Sequence, residues 1–514
     1  MKKRKGVSLI VLIITIIVVI ILAAAVILAL SKDGGIINQA RFAKDEYNKI
    51  EYRDRINEAY TIVKNKQEMQ GKPDREIFEE VKKSLNFEKA KYEICDKSMN
   101  ITTKEGYEYT ILGDGYIYDE KVVVLDIAEG NIDLYSNGYK QYTGALQGLN
   151  QNGATSFTGK YIITGTTTEN VVRVCDVGNY NITIKDLDID VSSKNNIVAF
   201  LAGNKNSGLY VKIDIEGNNK LYSKSSALSW SGVTQEVGGS ELEIYGEGKL
   251  ELWCANNRSE ACIGGNNARN ITINSGTIYA IRKGENYGYP IGGKNANITI
   301  NGGNIFASSG KSEALYGDKI TINGGLINAS GGEYGIAIAA EKKLLITGGC
   351  IECLGTFKVF PLIGGKCKDV MISGGTIITS LNRNIGLSCG MDDGKISITG
   401  GNLFLNGKMY RIAKYVDAWN TDTNKKMTPT NGTNEIYLTS IKLQNIGENK
   451  KIESITTSDN IAYGIKDTYT LEDGMLYLYL PLGKREITIK VDGKTFKGEV
   501  ETTENENNKV LNEE

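Results

Sequence analysis

The sequence predicts a mainly β protein whose central part is a single-stranded, parallel and right-handed β-helix solenoid. Phrases close to NITINGGNI, at 297–305, recur between residues 270 and 403, and their second glycines lie 22 to 27 residues apart. Within each phrase apolar and polar residues alternate with a period of two, which is typical of strands rather than helices. At 514 residues the chain is longer than one core usually organises, so further domains are expected on both sides of the repeats.

The chain opens with a basic leader followed by an apolar segment. Four cationic residues, 2–5, precede a run of 24 uncharged residues at 7–30. About 20 apolar residues are enough to cross a bilayer as a helix, and cationic residues before such a helix hold the N-terminus in the cytoplasm. We therefore predict that residues 1–30 form a leader and a single-pass transmembrane helix in the cell membrane, and that the rest of the chain lies on the cell surface.

The leader resembles the N-terminal segment of type IV prepilins. The resemblance rests on Gly6 and the apolar stretch that follows it, VSLIVLIITIIVVIILAA. It implies cleavage by a prepilin peptidase between Gly6 and Val7, methylation of the new N-terminus, and pilus components as partners. The fifth residue after that cleavage point is Val11, where pilins usually carry Glu. A plain signal anchor is the alternative, and both interpretations keep the protein at the membrane.

Two short regions connect the membrane helix to the repeats. Residues 31–72 are predicted to form an extracellular helical stalk, because apolar residues recur on one helix face between Phe42 and Val63. Pro73 is a helix start signal, and alternating stretches follow it, so residues 73–130 are predicted to form a small α+β spacer. No chemistry is assigned to either region.

The β-helix is predicted over residues 131–430, and each position of the repeated phrase has a structural explanation. Apolar pairs such as Ile298 and Ile300 point the same way, into a core. The Gly-Gly pair lets the chain turn with positive φ. The polar residues before it are expected to form a hydrogen-bonded ladder along the stack, at Asn274, Asn301, Asn323, Thr347, Ser373 and Thr399. A third segment in each turn is marked by the tripeptide IGG, at 263–265, 291–293 and 363–365.

A second resemblance concerns residues 181–406. The ordered succession NITIKDLDIDV, LYVKIDIEGNNKLYS, ACIGG and repeated ITINGG resembles the bacterial carbohydrate-binding β-helix domain, which has the pectate-lyase architecture. The resemblance implies polysaccharide binding and a role for calcium. Asp186, Asp188 and Asp190 occupy alternate positions, so carboxylates sharing one face are candidate oxygen ligands of calcium. A solvated strand edge is the other interpretation of these three residues.

Sugar binding on such a scaffold needs flat apolar surfaces for the C–H faces of the sugar, bordered by hydrogen-bonding groups. In the predicted alignment Tyr279 and Phe306 fall in one outward column on adjacent turns. The further candidates are aromatic residues in neighbouring strands and loops: Trp230, Trp253, Tyr287 and Tyr289. The alternative is that these rings cover the edges of the core or lie under loops.

After the repeats the alternation changes to that of an antiparallel sheet. Residues 431–503 contain several alternating stretches, and Asp492-Gly493 is a strong hairpin signal. We predict a small, immunoglobulin-like β-sandwich in this region, followed by a disordered tail at 504–514.

Composition limits the chemistry that the chain can perform. It has no His, which excludes Ser-His-Asp triads, Cys-His pairs and His-ligated metal sites. Its net charge of −1 argues against nucleic-acid binding. The eight cysteines are expected to be buried as small apolar residues or to form disulfides, because only Cys350 and Cys353 have a spacing typical of metal ligands.

These observations together predict a membrane-anchored, surface-exposed polysaccharide-binding protein that is not an enzyme. One alternative is a structural or adhesive solenoid, or a minor pilus component, without sugar specificity. The other is a calcium-dependent polysaccharide lyase, although no recognisable set of acids and a basic residue frames such a site.

Overall fold

The structure is a computed structural model. It describes residues 36–148, 151–202, 208–224, 226–229, 241–255, 261–265, 268–283, 288–354, 363–365, 367–379, 385–389, 395–398, 402–405, 408–411, 416–420, 425–427, 436–447, 450–459, 470–471, 474–503 and 507–514. No helix among these residues is long and apolar enough to cross a membrane. The predicted span at 7–30, with Gly6 and Val7, lies outside them. The chain divides into two compact units, Met1–Val123 and Val124–Glu514.

The first unit combines two helices with a small antiparallel sheet. Its helices are α1 (Ile36–Lys64) and α2 (Asp74–Leu85), with a 3₁₀ turn at Gln67–Met69 between them. Its strands, paired in chain order, are β1 (Lys91–Ile94), β2 (Ser98–Thr102), β3 (Glu108–Leu112) and β4 (Ile117–Tyr118). The last turns of α1 share one apolar core with α2 and the sheet, in which Ile56, Phe78 and Met99 are fully buried. Phe42 and Tyr47 are exposed, so the predicted apolar face of α1 is buried only in its C-terminal half.

The second unit is mainly β and is dominated by one large sheet in which most strand pairs are parallel. Its strands fall into three columns, and each strand pairs with strands of the same column one repeat earlier and one repeat later. We call these columns A, B and C, and one passage of the chain through all three a rung. Successive rungs stay in register, as Ile271 opposite Ile298 and Ile298 opposite Ile320 illustrate. This pairing is compatible with a β-solenoid.

The strands of each column are as follows. Column A contains β9 (Lys160–Thr167), β11 (Gly178–Val191), β13 (Leu209–Glu216), β16 (Glu241–Gly246), β19 (Asn270–Ile273), β22 (Asn297–Ile300), β24 (Leu315–Ile322), β26 (Ile338–Ile346), β29 (Asp369–Ile372) and β32 (Lys395–Ile398). Column B contains the second halves of β9 and β11, then β14 (Asn218–Ser223), β17 (Lys249–Cys254), β20 (Thr277–Arg282), β23 (Asn304–Ser309), β25 (Leu326–Ser330), β27 (Cys350–Leu354), β30 (Thr376–Thr379) and β33 (Asn402–Leu405). Column C contains β6 (Asn131–Tyr135), β10 (Val172–Val174), β12 (Phe200–Leu201), β15 (Leu228–Ser229), β18 (Ile263–Gly264), β21 (Ile291–Gly292), the first halves of β24 and β26, β28 (Ile363–Gly365), β31 (Ile385–Cys389) and β35 (Val416–Asn420).

Antiparallel strands stand at both ends of the large sheet. At its start, β6 pairs with β7 (Gly138–Tyr142) and β7 with β8 (Thr155–Ser156), after β5 (Val122–Asp126) and a 3₁₀ turn at Ile127–Glu129. At its end, β34 (Lys408–Arg411) and β36 (Lys425–Met427) pair with β33 and β35. These antiparallel strands cover the edges at which the parallel columns end. A free edge there could otherwise pair with a strand of another chain.

Alternate side chains of the columns form the core, as the repeated phrase predicts. Ile298 and Ile300 are at most 1% exposed, and their counterparts in neighbouring rungs are equally buried. The glycines that end the column A segment turn with φ between 81° and 95°, at Gly276, Gly303, Gly325, Gly349 and Gly375. At Gly303 a Cβ would lie 2.7 Å from the carbonyl oxygen of Gly276, so the turn admits only glycine.

The predicted polar ladder is confirmed for four of its members. The Asn301 amide donates to Asn274 Oδ1 at 2.8 Å, and the Asn323 amide donates to Asn301 Oδ1 at 2.9 Å. The Thr347 hydroxyl continues the ladder by donating to Asn323 Oδ1 at 2.7 Å. The last predicted member, Thr399, lies outside the described residues.

The C-terminal part contains two small sheets that share one apolar core. The first, in the order β40-β37-β43, consists of β37 (Ile436–Leu443), β40 (Met475–Pro481) and β43 (Asn507–Leu511). The second, in the order β39-β38-β41-β42, consists of β38 (Lys450–Thr457), β39 (Thr470–Leu471), β41 (Gly483–Val491) and β42 (Lys494–Thr502). The hairpin predicted at Asp492-Gly493 is confirmed, since both residues have positive φ between β41 and β42.

The prediction of a disordered tail is wrong for residues 507–511. These residues form β43, which pairs in parallel with β37, and Leu511 enters the core at 2% exposure. Asn507 fixes the start of the strand, because its side chain accepts the backbone N–H of Thr503 and donates to the carbonyl of the same residue. Pairing with β37 and the burial of Leu511 therefore order a segment whose composition is mainly polar.

Candidate functional site

The outward side chains of column B form two continuous ladders on the protein surface. The first runs from rung to rung through Asp188, Lys220, Glu251, Tyr279, Phe306, Asn328 and Glu352. The second, two residues further along each strand, runs through Asp190, Tyr222, Trp253, Ile281, Ser308, Ser330 and Leu354. Buried neighbours such as Leu252 and Ile278 fix the register that keeps both ladders outside. Four successive rungs each contribute one ring to what we call the aromatic strip: Tyr222, Trp253, Tyr279 and Phe306.

Tyr222 and Trp253 form the half of the aromatic strip in which the rings are not stacked. Their ring centroids lie 6.2 Å apart with the planes tilted by 53°. The Tyr222 hydroxyl donates to Glu251 Oε2 at 3.0 Å. Partial burial, and secondly the hydrogen bond to this carboxylate, raise the pKa of Tyr222 to about 12, so the hydroxyl stays protonated. A ring surface and an anchored carboxylate therefore stand side by side.

Tyr279 and Phe306 form the other half, and their rings are stacked on each other. The centroids lie 4.5 Å apart with the planes 5° from parallel. In the preceding rung, Lys249 places its Nζ over the Tyr279 ring, 4.8 Å from the centroid. Phe306 and Lys249 thus approach Tyr279 from opposite rungs and cover both of its faces. The pair presents ring edges to solvent, together with the outer part of Phe306, which is 38% exposed.

An open cleft of about 650 Å³ adjoins the aromatic strip. Its lining comes from two successive turns between columns A and B and from the start of β20: Asp214, Ile215, Glu216, Gly217, Asn218, Gly246, Glu247, Gly248, Lys249 and Thr277. At Gly246 a Cβ would lie 2.4 Å from the carbonyl oxygen of Ile215, so the narrow turn depends on glycine. Lys249 lines the cleft and also lies over the Tyr279 ring. The cleft and the aromatic strip are therefore parts of one continuous surface.

Ion pairs hold the charged side chains of this surface. Lys220 contacts Asp188 of the neighbouring rung at 3.2 Å. Lys249 pairs with Glu251 on its own strand, and this hydrogen bond holds the pKa of the Glu251 carboxyl below its usual range. In the next rungs the Asn328 amide donates to Glu352 Oε2 at 2.8 Å.

The structure places Tyr289 away from the aromatic strip, next to column C. Its ring stacks on that of Tyr316, with centroids 4.1 Å apart, and the Tyr316 hydroxyl donates to Glu341. Burial, and secondly the charge of Glu313, raise the pKa of Tyr289 to about 12. Trp230 and Tyr287, the other two predicted candidates, lie outside the described residues.

The three aspartates predicted as calcium ligands do not fit a shared metal site. Asp186 lies at a register shift with φ of 50°, where its carboxylate accepts the backbone N–H of Asn218. Asp188 pairs with Lys220, and Asp190 accepts the backbone N–H and the hydroxyl of Ser192. Among the described residues no group of three or more Cys, Asp or Glu side chains is arranged to hold a metal ion.

Both outcomes predicted for the cysteines occur: two form a disulfide, and others are buried as free thiols. Cys254 and Cys262 form a disulfide that joins the end of β17 to the start of column C in the same rung. Cys353 and Cys367 are fully buried, and burial raises the pKa of the Cys367 thiol to about 12. Thiols with such pKa values are poor nucleophiles, which fits a packing role.

Three residues of this surface were missed at the sequence level: Tyr222, Glu251 and Lys249. The alternation of apolar and polar residues does carry the information needed to find them. It aligns NNKLYS at 218–223 and KLELWC at 249–254 with TIYAIR at 277–282, as the strand register confirms. These earlier rungs lack the Gly-Gly that marks the register in the later ones, so their outward columns were not aligned.

Comparisons with protein-family models, with curated proteins and with solved structures gave no match.

Proposed function

We propose that this protein is a membrane-anchored, surface-exposed polysaccharide-binding protein, in which a right-handed parallel β-helix presents the aromatic strip and the adjoining cleft to a glycan chain. The observation that carries the proposal is the placement of four rings on four successive rungs of column B, two in each outward ladder, beside an open cleft. Sugars are recognised by apolar ring contacts combined with hydrogen-bonding groups, and this surface offers both.

Trp253 is the ring we expect to contribute most. It is half-buried, so its position is fixed, and it is tilted away from Tyr222 instead of being stacked. The rigid indole offers apolar area at a low cost in side-chain entropy, and Glu251 lies on the same strand two residues away. Tyr279, whose faces are covered, serves in this proposal to support the strip.

The membrane part of the proposal comes from the leader. A prepilin peptidase is expected to cut between Gly6 and Val7, and N-terminal sequencing of the cellular protein should then begin at Val7. An intact Met1 would reject this processing. The disulfide between Cys254 and Cys262 supports a location outside the cytoplasm, because such bonds persist in oxidising compartments.

The binding claim is tested by measuring retention of the purified full-length chain, in detergent, on a panel of insoluble and immobilised polysaccharides, with and without calcium. Retention on at least one polymer is expected, and Trp253→Ala should weaken it about tenfold. Tyr334→Ala is the matched control, because Tyr334 is 54% exposed and does not belong to column B.

A structural or adhesive solenoid without sugar specificity is the second candidate. The observation that favours it is the stack of Lys249, Tyr279 and Phe306. In this stack the faces of the Tyr279 ring contact other side chains of the protein and are not accessible to a sugar. Failure of the full-length protein to bind any polymer of the panel would reject the first proposal and leave this one.

A further inference from the structure

We infer that the glycan bound at this surface is a neutral polysaccharide, and that carboxylated, polyuronate-type chains are discriminated against. This inference rests on the proposed function, since it names the class of polymer that the same aromatic strip and cleft would take. It is carried by the way in which charges are distributed over the surface.

The lysines around the site already face carboxylates of the protein. Lys220 contacts Asp188 at 3.2 Å, and Lys249 is hydrogen-bonded to Glu251. At the cleft, Asp214 and Glu216 are likewise paired, at 3.3 Å with Lys160 and at 3.7 Å with Lys185. An anionic sugar would have to compete with these carboxylates for each cation, and so it gains little from them.

Two further carboxylates leave the surface with an excess of negative charge. Glu247 is exposed on the cleft wall and has no ion-pair partner among the described residues. Asp190 stands opposite Tyr222 in the second outward ladder, where its contacts are hydrogen bonds from Ser192. Polyuronates carry one carboxylate on each sugar, so several of their charges would oppose these groups over a strip of four rungs.

A bound calcium ion could bridge the carboxylates of a polyuronate and those of the protein. The described residues, however, contain no group of three or more carboxylates arranged to hold a metal ion. What the surface does offer suits uncharged hydroxyl groups. Thr277 supplies a hydroxyl in the cleft, Asn328 a side-chain amide, and the Glu251 and Glu352 side chains hydrogen-bond acceptors. A neutral sugar, with many O–H donors, satisfies such acceptors best.

The test compares pairs of polymers with the same sugar backbone, of which one member is neutral and the other carries carboxylates. Isothermal titration calorimetry on the full-length chain would use methyl-esterified and de-esterified homogalacturonan oligomers, and cello-oligosaccharides with and without oxidation at C6 to the uronate. The neutral member of the pair that binds should bind at least about fivefold more tightly, which is the effect of roughly one exposed like-charge contact. Raising the salt concentration should narrow this ratio, because the repulsion is screened.

The variant Glu251→Gln tests whether the charge of Glu251 causes this preference. The amide keeps an acceptor for the Tyr222 hydroxyl, while the negative charge is lost and Lys249 becomes available to an anion. The ratio of neutral to anionic affinity should therefore fall about fivefold. Glu499→Gln is the matched control. Glu499 lies on β42, outside columns A to C, and pairs with Lys484 on β41, so its replacement removes one charge and should leave the ratio unchanged.

The outcomes separate this inference from the proposed function. Equal or tighter binding of the anionic member, or a ratio that neither salt nor Glu251→Gln alters, would overturn the inference while the proposed function stands. If no polymer of any kind is bound, the proposed function itself fails and the inference fails with it.

Discussion

Two stretches of the parallel sheet build the same three columns with different side-chain chemistry between rungs. In residues 178–254 ion pairs connect neighbouring rungs, such as Lys212 with Glu243 at 2.9 Å. In residues 270–354 an amide ladder also connects the rungs, as at Asn301, beside the ion pair of Lys342 with Asp318 at 2.8 Å. Alternating inward apolar residues are thus the shared requirement, and the links between rungs are interchangeable. The aromatic strip crosses the boundary between the two stretches, with two rings on each side.

The largest effect is expected where the later stretch depends on glycine. Gly303→Ala should destabilise the protein by about 3 kcal/mol, because φ is +88° and the new Cβ would lie 2.7 Å from the Gly276 carbonyl oxygen. Chemical denaturation followed by circular dichroism measures this loss. Gly153→Ala is the matched control, since φ is +78° there but no heavy atom lies within 4 Å, and about 1 kcal/mol is expected. Equal losses in the two variants would show that the close rung contact does not matter.

The earlier stretch ends with a covalent link, and its removal should have the next largest effect. Replacing Cys254 and Cys262 together by Ser removes a cross-link between residues eight apart in sequence, which should cost about 2.5 kcal/mol. A reducing agent should lower the stability of the parent protein by a similar amount and leave the double variant unchanged. A double variant as stable as the parent would mean that the packing of this rung is sufficient without the bond.

The amide ladder of the later stretch should contribute less, because it lies in contact with solvent. Asn301→Ala removes the hydrogen bonds to Asn274 and from Asn323 and should cost about 1 kcal/mol. Asn301→Thr should recover part of this loss, because Thr347 already occupies the same column and donates to its neighbour. Asn304→Ala, at an exposed position outside the ladder, is the control and should leave the unfolding midpoint unchanged.

The rungs could be predicted from the sequence because their cause is local and periodic. Alternate Ile residues indicate the core, the glycines indicate turns, and the Asn column indicates a hydrogen-bonded ladder. The regular repeat aligns each of these positions from one rung to the next. The surface could be predicted only in part. The register placed Tyr279 opposite Phe306, but whether two such rings stack or lie flat depends on the 4.5 Å contact and on Lys249, which no pattern encodes. The disulfide was equally hidden, since no repeated position marks Cys254 and Cys262 as a pair.

The same limit applies to Glu313, which nothing in the repeat distinguishes and whose environment is set by packing near column C. Burial raises the pKa of this carboxyl, and its charge acts on Tyr289 and Tyr316. The folded chain therefore holds this proton to a higher pH than the unfolded chain. The contribution to stability is fully present below the unfolded pKa of about 4.3 and is lost as the pH rises through the folded value.

Glu313→Gln, which cannot ionise, should accordingly be more stable than the parent protein at about pH 7. The advantage should shrink as the pH falls toward about 4, where the parent carboxyl is protonated as well. Denaturation midpoints of both proteins across this range measure the difference, and we expect it to be the smallest of the effects considered. Curves that remain parallel would contradict the idea that the carboxyl is ionised against an unfavourable environment. Column C would then tolerate a charge beside its stacked tyrosines as readily as column B does beside Trp253.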